Sequence, residues 1–578
     1  MVLVGTKRWR VAPQIPPSVE KRLSEFDPVL AQVLFNRSVR KHRRDVPIED
    51  AETAKTFLDG DVAEFDSFRM KDMSRAVGRI RQAIKRQERI VVYGDFDADG
   101  VTSTALLVQA LEGLGAREVE PFIPHRVEDG YGLSSATLVS MAQDGVKLVI
   151  TVDCGIRAVQ EVEDAQKYGL DVIITDHHSI GPELPPAYAI INPKRDDCEY
   201  PEDMLAGVGV AFHLANALIR AARQQGEQVA VDVDDLLPLV AVGTVADLAP
   251  LNSIENRAFV RRGLPLIARH AGLYELTTLA GGDPSRLQAS SIGYMLGPRL
   301  NAAGRMQDAS IAYDLLRADQ SAAAKLAVEL EELNRLRQDE TQAAQLKARE
   351  LAFQGVSEDV PLIFVADRSF ESGIVGLVAG RLAEEFYRPV VIVEMGDDEE
   401  CRGSCRSIPE FNIVQALDEC ADLLVRHGGH AQAAGFTVRR ENLELLRDRL
   451  FEKAQNSLLG DELRPTLEID AEVPVERLTL GLAEELRKLE PFGHGNPQPV
   501  LMTSGLQVRD ARQVGKEGAH LKLTFGGMGY RLDAIAFRMG QLLDDLPRRV
   551  DVAYHLEVNE WRGQRRLQLN VKDIRPTV

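Results

Sequence analysis

From Arg89 onward, apolar and polar positions fall into a repeating order. Ile90-Val91-Val92-Tyr93 is a short apolar run that ends in an acidic, glycine-containing turn, and residues 102–114 then show helical spacing closed by Gly115. Residues 147–152 form a second run, followed by a helix over about 158–168 that stops at Gly169, and residues 171–175 begin the cycle again. Strands alternating with helices of about 10–15 residues predict βαβ units and a parallel sheet. Residues 318–352 mix polar and apolar positions without Pro or Gly, which predicts one extended helix acting as a rigid connector. A second α/β region is expected over about 360–454, with strands at 362–365 and 390–393 and a helix over 375–385 between them. Residues 466–578 hold alternating runs at 520–525, 552–558 and 567–571, which predict a small β-barrel of OB type. The expected organisation is an N-terminal segment (1–70), a parallel-sheet α/β domain (71–317), the connector helix (318–352), a smaller α/β domain (353–458) and an OB-like β-barrel (459–578).

A chain of 578 residues is too long for one core and suits about three domains. Its 44% hydrophobic and 27% charged residues are ordinary for a globular protein in water. The five cysteines form no CxxC pair, which points to a reducing compartment and away from structural zinc. The N-terminus lacks the apolar core of a secretory signal. The apolar stretch 236–251 is short and carries Asp247, so no membrane association is expected and the cytoplasm is the expected location. Net charge is −19, from 69 Lys and Arg against 88 Asp and Glu, whereas nucleic-acid binders usually show a basic footprint. Basic residues do cluster locally, at Arg37, Arg40, Lys41, Arg43 and Arg44 and at Arg562, Arg565 and Arg566 beside Trp561. A metal-dependent nuclease also needs concentrated acids to hold its cations. The charge therefore argues only against broad, sequence-blind coating of a duplex.

In an open parallel sheet, ligands bind beyond the carboxyl ends of the strands. The first strand here ends in Gly94-Asp95-Phe96-Asp97-Ala98-Asp99-Gly100, another in Thr151-Val152-Asp153-Cys154-Gly155, and a third in Thr175-Asp176-His177-His178. An apolar helix further on carries Gly243-Thr244-Val245-Ala246-Asp247. Together these place Asp97, Asp99, Asp153, His177 and Asp247 at one edge of one sheet. A single Asp after a strand is commonly the cap of the next helix. Three acidic strand ends with an adjacent histidine pair are not explained as independent caps, because so many carboxylates in one cleft repel one another unless cations neutralise them. Hard carboxylates with one imidazole and no thiolate select Mn²⁺ or Mg²⁺ over zinc. The number of ligands suggests two ions sharing a bridging carboxylate, about 3.5–4 Å apart, an arrangement that activates water and stabilises a leaving oxygen at phosphorus.

These turns resemble the four motifs of the DHH phosphoesterases in their RecJ form, and the likeness covers nearly the whole chain. Phe122-Ile123-Pro124-His125-Arg126, followed by Glu128-Asp129-Gly130-Tyr131-Gly132, is similar to the family segment that helps seat a 5′-phosphate. Leu205-Ala206-Gly207-Val208-Gly209-Val210-Ala211 and Gly297-Pro298-Arg299-Leu300-Asn301-Ala302-Ala303-Gly304-Arg305 are also RecJ-like. So are Gly403-Ser404-Cys405-Arg406-Ser407 and Gly428-Gly429-His430-Ala431-Gln432-Ala433-Ala434-Gly435, in a second lobe that resembles the DHH-associated nucleic-acid-binding domain.

The resemblance implies that Asp97, Asp99, Asp153, His177 and Asp247 are metal ligands, with Asp153 the bridge. His178 would contact the scissile phosphate or assist the leaving 3′-oxygen. Asp95 would be either a further ligand or a partner behind the ligands. In the second lobe, the glycines before His430 would let backbone amides approach a phosphate, although Gly-Gly-His alone reads as a helix-ending turn. Ser404 and Arg406 would supply a hydroxyl donor and a forked cation. Arg126, Arg299 and Arg305 would anchor the 5′ end or neighbouring phosphates. Two positions depart from the family: Cys405 stands where relatives carry a glycine, and Phe370-Glu371 where they carry an aromatic residue and a histidine. A carboxylate at Glu371 would be unfavourable beside a phosphate, so either it points away or that contact is absent.

The activity implied is a processive 5′-to-3′ exonuclease that releases 5′-mononucleotides from single-stranded DNA in recombination and repair. A groove between two lobes would admit a single strand but not a duplex. The barrel would track the strand by stacking, with Trp561 and Arg562 as a platform. Single-strand-binding protein and a RecQ-type helicase would be its partners, and a monomer is expected. The alternatives are another DHH phosphodiesterase acting on short oligonucleotides or cyclic dinucleotides, a manganese pyrophosphatase, and a non-catalytic DNA-binding replication scaffold. The first two lack the terminal barrel, and the intact ligand set speaks against the scaffold.

Overall fold

The computed structural model describes residues 7–60, 65–126, 132–354, 360–396, 399–458, 460, 463–527, 529–561 and 563–577, with the backbone alone of Trp561. They form two compact units: Met1–Asn301 with Ala309–Val328 and Thr466–Val578, and Ala302–Asp308 with Glu329–Pro465.

The first unit is organised by a five-stranded, wholly parallel sheet of β1 (Ile90–Tyr93), β2 (Val119–Phe122), β3 (Leu148–Val152), β4 (Asp171–Thr175) and β5 (Ala189–Ile191), in the order β2-β1-β3-β4-β5. The central strands are unbroken apolar runs because helices cover both faces, so neither side alternates with polar residues. Helix α1 (Ala98–Gly113) is buried along nearly its whole length. It packs against α2 (Gly207–Gln224) and α3 (Val233–Ala246). Tyr93 pairs with Thr151, and Val152 with Thr175, so the carboxyl ends of β1, β3 and β4 are level. The chain reverses its direction of winding between β1 and β3, where such sheets open a crevice for ligand.

The N-terminal segment and the barrel belong to this same unit. Strands Leu501–Val514, His520–Gly527, Tyr530–Ala536, Arg549–Trp561 and Gln564–Pro576 close on themselves, because the first pairs with the fourth as well as the second. Leu23, Leu30, Leu34 and Phe57 share one hydrophobic cluster with Leu521, Phe525 and Val550 of the barrel. Arg257 locks the arrangement. Its buried guanidinium donates to the carbonyls of Phe57, Leu251, Leu489, Glu490 and Pro491 and lies 4.0 Å from the Phe57 ring. Burial pulls its pKa down to about 9, which leaves it charged at neutral pH.

The N-terminal basic cluster is largely structural. Arg37 pairs with Asp470 at 2.9 Å, Arg40 with Asp203 at 2.7 Å, and Arg43 donates to the carbonyls of Pro193, Cys198 and Tyr200. These side chains are therefore not the nucleic-acid footprint that the composition left open. Arg565 is paired with Glu484, and Arg562 lies outside the described residues. A cleft of about 740 Å³ bordered by Leu264, Phe492 and Val558 contains none of the acidic strand-end residues.

The second unit holds a five-stranded sheet of β6 (Ile363–Asp367), β7 (Val390–Glu394), β8 (Glu400–Arg406), β9 (Leu424–His430) and β10 (Ala433–Arg439), ordered β9-β10-β8-β7-β6. Only β6 and β7 are parallel. The helix Gln320–Ala352 is continuous over 33 residues, as the absence of Pro and Gly predicts. Among the described residues no helix is long and apolar enough to cross a membrane.

Candidate metal centre

The ligand candidates come from the ends of several elements, two of them from the start of α1. Asp97 is the cap of α1, and its Oδ1 accepts from the amides of Asp99 and Gly100 at 2.9 and 3.0 Å. The cap reading is thus correct for Asp97, and it occupies one carboxylate oxygen. Asp99, in the first turn, reaches across to α2, where its two oxygens accept from Gly207 N at 2.7 Å and Val208 N at 2.9 Å. Asp153 follows β3 in the left-handed region, with φ +61°, and its amide donates to the Thr175 carbonyl. Asp247 ends α3.

Asp176 organises the histidine pair. Its Oδ1 accepts from the amides of His177 and His178 and from His178 Nδ1 at 2.8 Å, while Oδ2 accepts from Ile156 N. Burial would raise its pKa, yet the hydrogen bond and charge of His178 hold it below the usual carboxylate range. Burial likewise works against the His178 cation, but Asp176 raises its pKa above the ordinary imidazole value. The Nδ1 contact with Asp176 orients the imidazole and sets the direction of its other nitrogen.

The cluster converges on His177 and Asp153. His177 Nε2 lies 3.0 Å from Asp153 Oδ1 and 4.0 Å from Asp99 Oδ2, and its Nδ1 lies 3.7 Å from Asp247 Oδ2. Ligand atoms fall into three overlapping groups, each within 4.8 Å: Asp95, Asp97 and Asp153; Asp99, His177 and Asp247; Asp153, His177 and His178. Asp153 is common to the first and third, and His177 to the second and third.

Two observations fit cations to these residues. Asp153 Oδ1 and His177 Nε2 are buried and make no hydrogen bond among the described residues, although they face each other. The carboxyl groups are also strained in protonation. Burial, with the charge of Asp97, pushes Asp95 up to about 8; burial with Asp247 pushes Asp99 to about 7; and burial with Asp97 pushes Asp247 to about 7. Burial pushes Asp153 well above its ordinary value and pulls His177 down. Carboxylates that repel in this way are stabilised by a bound cation, and oxygen donors with imidazole suit Mn²⁺ or Mg²⁺.

Among the expected phosphate ligands, Arg126 lies beside the acidic turn. Its guanidinium carbon lies 5.0 Å from the Phe96 ring, and Asp95 and Asp97 offset part of the lowering that burial imposes on its pKa. Arg299 donates to the Met295 carbonyl, and Arg305, in the second unit, to that of Gly373. Residues 127–131, Arg562 and the Trp561 side chain lie outside the described residues.

In the second unit, pairing register gathers the other candidates on one face. Arg406 and His430 both pair with Ala433, and Ser404 and Gly428 both pair with Gly435, so side chains at these positions share one side of the sheet. Gly428-Gly429-His430 is therefore an edge strand of a hairpin and not a helix-ending turn. Gly429 has φ +145°, and a Cβ there would collide with the Ala433 carbonyl. Cys405 points the other way, into the core beside Phe436, where burial pushes its thiol to about 12. The departure at this position thus lies on the face opposite Ser404 and Arg406. Glu371 is exposed, and its charge, after burial, helps raise the pKa of Glu340.

Sequence reasoning missed three positioning groups. Asn301 Oδ1 accepts from Ala98 N at 2.8 Å, across a separation of 203 residues. Asn192 donates to the His178 carbonyl, and the amides of Gly207 and Val208 hold Asp99. Asn301 and Gly207 lie inside motifs picked out from the sequence, but no local spacing says what they touch.

A level sheet edge carrying these acids and imidazoles defines a metal-dependent phosphoesterase of the DHH class. Family models for the DHH family N-terminal domain, the DHHA1 domain and the RecJ OB domain match residues 89–244, 359–456 and 469–573. The chain is 40% identical to the single-stranded-DNA-specific exonuclease RecJ of Bacillus subtilis (strain 168), over 99% of this chain and 71% of that one. It is 37% identical to the Escherichia coli (strain K12) enzyme of the same name, over 88% and 91%. The crystal structure of RecJ in complex with Mn²⁺ from Thermus thermophilus superposes with a TM-score of 0.81 at 32% identity, covering 99% of this chain and 80% of that one. The corresponding Mg²⁺ complex gives 0.75 at 30% identity, covering 99% and 79%. The chain belongs to the RecJ family.

Proposed function

We propose that this protein is a metal-dependent exonuclease that degrades single-stranded DNA from its 5′ end to 5′-mononucleotides, with two Mn²⁺ or Mg²⁺ ions. The observation that carries this reading is the buried, unpartnered pair of Asp153 Oδ1 and His177 Nε2 at the junction of the ligand groups. Asp95, Asp97 and Asp153 would hold one ion, and Asp99, His177 and Asp247 the other, with Asp153 shared. When bound, the cations supply Lewis acidity toward the water and the phosphate. A bond forms from the water oxygen to the phosphorus joining the first two nucleotides, and the bond from that phosphorus to the 3′-oxygen breaks. The 3′-oxygen takes up a proton, so the first nucleotide leaves with a 3′-hydroxyl and the shortened strand keeps a 5′-phosphate. His178, oriented by Asp176, would contact that phosphate or deliver that proton.

Arg126 would take the 5′-phosphate, and Ser404, Arg406 and His430 the phosphates that follow, on the shared sheet face of the second unit. Arg299 and Arg305 would contact neighbouring phosphates, and the barrel would track the strand. The enzyme would act in the cytoplasm as a monomer in recombination and repair, with single-strand-binding protein and a RecQ-type helicase. The test is to incubate single- and double-stranded oligonucleotides, labelled at either end, with Mn²⁺ or Mg²⁺ and resolve products by length. Stepwise release from the 5′ end of single strands alone is expected. Protection by a block at the 3′ end would overturn the polarity, and equal cutting of duplex would overturn the substrate.

A further inference from the structure

Lys194 is a cation at the reaction edge that the ligand scheme does not use. It stands three residues beyond the end of β5, next to the strand that delivers His177 and His178. Asn192 ties it to that pair: its amide donates to the His178 carbonyl at 3.0 Å, and its Oδ1 accepts from Lys194 N at 2.8 Å. The loop beyond is braced from two sides. Arg43 gathers the carbonyls of Pro193, Cys198 and Tyr200, and Arg195 bonds to the Ile190 carbonyl, Asp72 and Asp197. The base of the Lys194 side chain is therefore held in place.

The residue is half-buried, and among the described residues its ammonium group has no carboxylate within 4.0 Å and no hydrogen bond. Burial lowers its pKa, against the opposing charges of Asp247, Asp176 and Asp203. A desolvated cation that does not close onto nearby acids keeps its three donors available for another anion. An ammonium group suits a phosphate oxygen as a point charge.

We propose that Lys194 contacts the substrate directly, donating to a non-bridging oxygen of the scissile phosphate on the Asp247 and His178 side of the centre. This rests on the exonuclease reading above. In that role the lysine stabilises charge that builds on the phosphate oxygens while the P–O3′ bond breaks, a contact that gains strength in the transition state.

The experiment uses the full chain, a 5′-phosphorylated single-stranded oligonucleotide and Mn²⁺. Single-turnover cleavage at saturating DNA is measured for the parent, Lys194→Ala, Lys194→Arg and Asp153→Ala. Losing a charge-assisted contact should slow Lys194→Ala by about ten- to a hundredfold, with Lys194→Arg recovering part of the rate. The Mn²⁺ concentration for half-maximal rate and the thermal shift on adding Mn²⁺ should stay at parental values or move toward tighter binding, because a competing cation has gone. Cleavage within about twofold of the parent in Lys194→Ala would overturn the proposal. So would recovery of its rate by excess Mn²⁺, which would assign the lysine to metal loading. A parent that leaves single strands intact would defeat the functional reading itself, and a parent that cuts while Asp153→Ala does not separates that failure from any failure of Lys194.

Discussion

Gly207 stands so close to Asp153 that a Cβ on residue 207 would lie 2.6 Å from Asp153 Oδ1. The same residue donates its amide to Asp99, so one glycine at the start of a helix serves two metal-ligand candidates at once. Gly207→Ala should displace both carboxylates. Overpacking of this kind costs about 1–3 kcal/mol of stability, and cleavage should fall by more than a hundredfold. Thermal melting and single-turnover cleavage check the pair of effects, and near-parental turnover would show that the close approach is incidental.

Asp153 should separate stability from activity. Asp153→Asn removes a carboxyl group that burial holds well above its ordinary pKa. The metal-free variant should melt at or above the parental temperature, as is common where function requires strained charge. Cleavage and the thermal shift on adding Mn²⁺ should both be lost. A metal-free Asp153→Asn that melts well below the parent would contradict this account of the cluster.

The carboxyl pKa values set a pH trend. Asp95, Asp99 and Asp247 titrate at about 8, 7 and 7 in the folded protein, against about 4 in an unfolded chain. Between those limits the folded form keeps protons that the unfolded form has released. Stability without metal therefore falls as pH rises from about 4 to 8. Metal binding displaces the same protons, so the gain in melting temperature from Mn²⁺ should grow between pH 6 and pH 8. Melting curves in chelator and in Mn²⁺ across that range test the sign, and an equal gain at both ends would count against it.

Neighbouring positions on β8 should behave in opposite ways because their side chains alternate. Arg406→Ala removes the proposed phosphate contact and should weaken binding of a short oligonucleotide in Ca²⁺ by about ten- to a hundredfold, with a slightly shallower salt dependence. Cleavage at saturating DNA should suffer much less. Cys405→Gly introduces the glycine that the family resemblance leads one to expect but empties a core site, at a cost of about 1–2 kcal/mol, and should leave DNA binding unchanged. Normal binding with failed cleavage in Arg406→Ala would place this lobe in the catalytic apparatus.

The sequence by itself determined the parallel sheet and the residues at its edge. Strands buried on both faces must be continuous apolar runs, so 90–93, 147–152 and 171–175 stood out, and the acids and histidines that end them could not be explained as separate caps. Local pattern also foretold the long helix and the barrel, since both follow from period and turn chemistry. Tertiary structure alone decided how the ligands are held and which charges are available. Asn301 meets Ala98, the amides of Gly207 and Val208 meet Asp99, and Arg37, Arg40 and Arg43 are taken up by distant carboxylates and carbonyls. Only strand pairing showed that Arg406 and His430 flank Ala433 on one face while Cys405 faces the core. Backbone periodicity is a property of neighbouring residues and is written locally. A hydrogen bond across two hundred residues depends on how the helices pack, and no spacing along the chain encodes it.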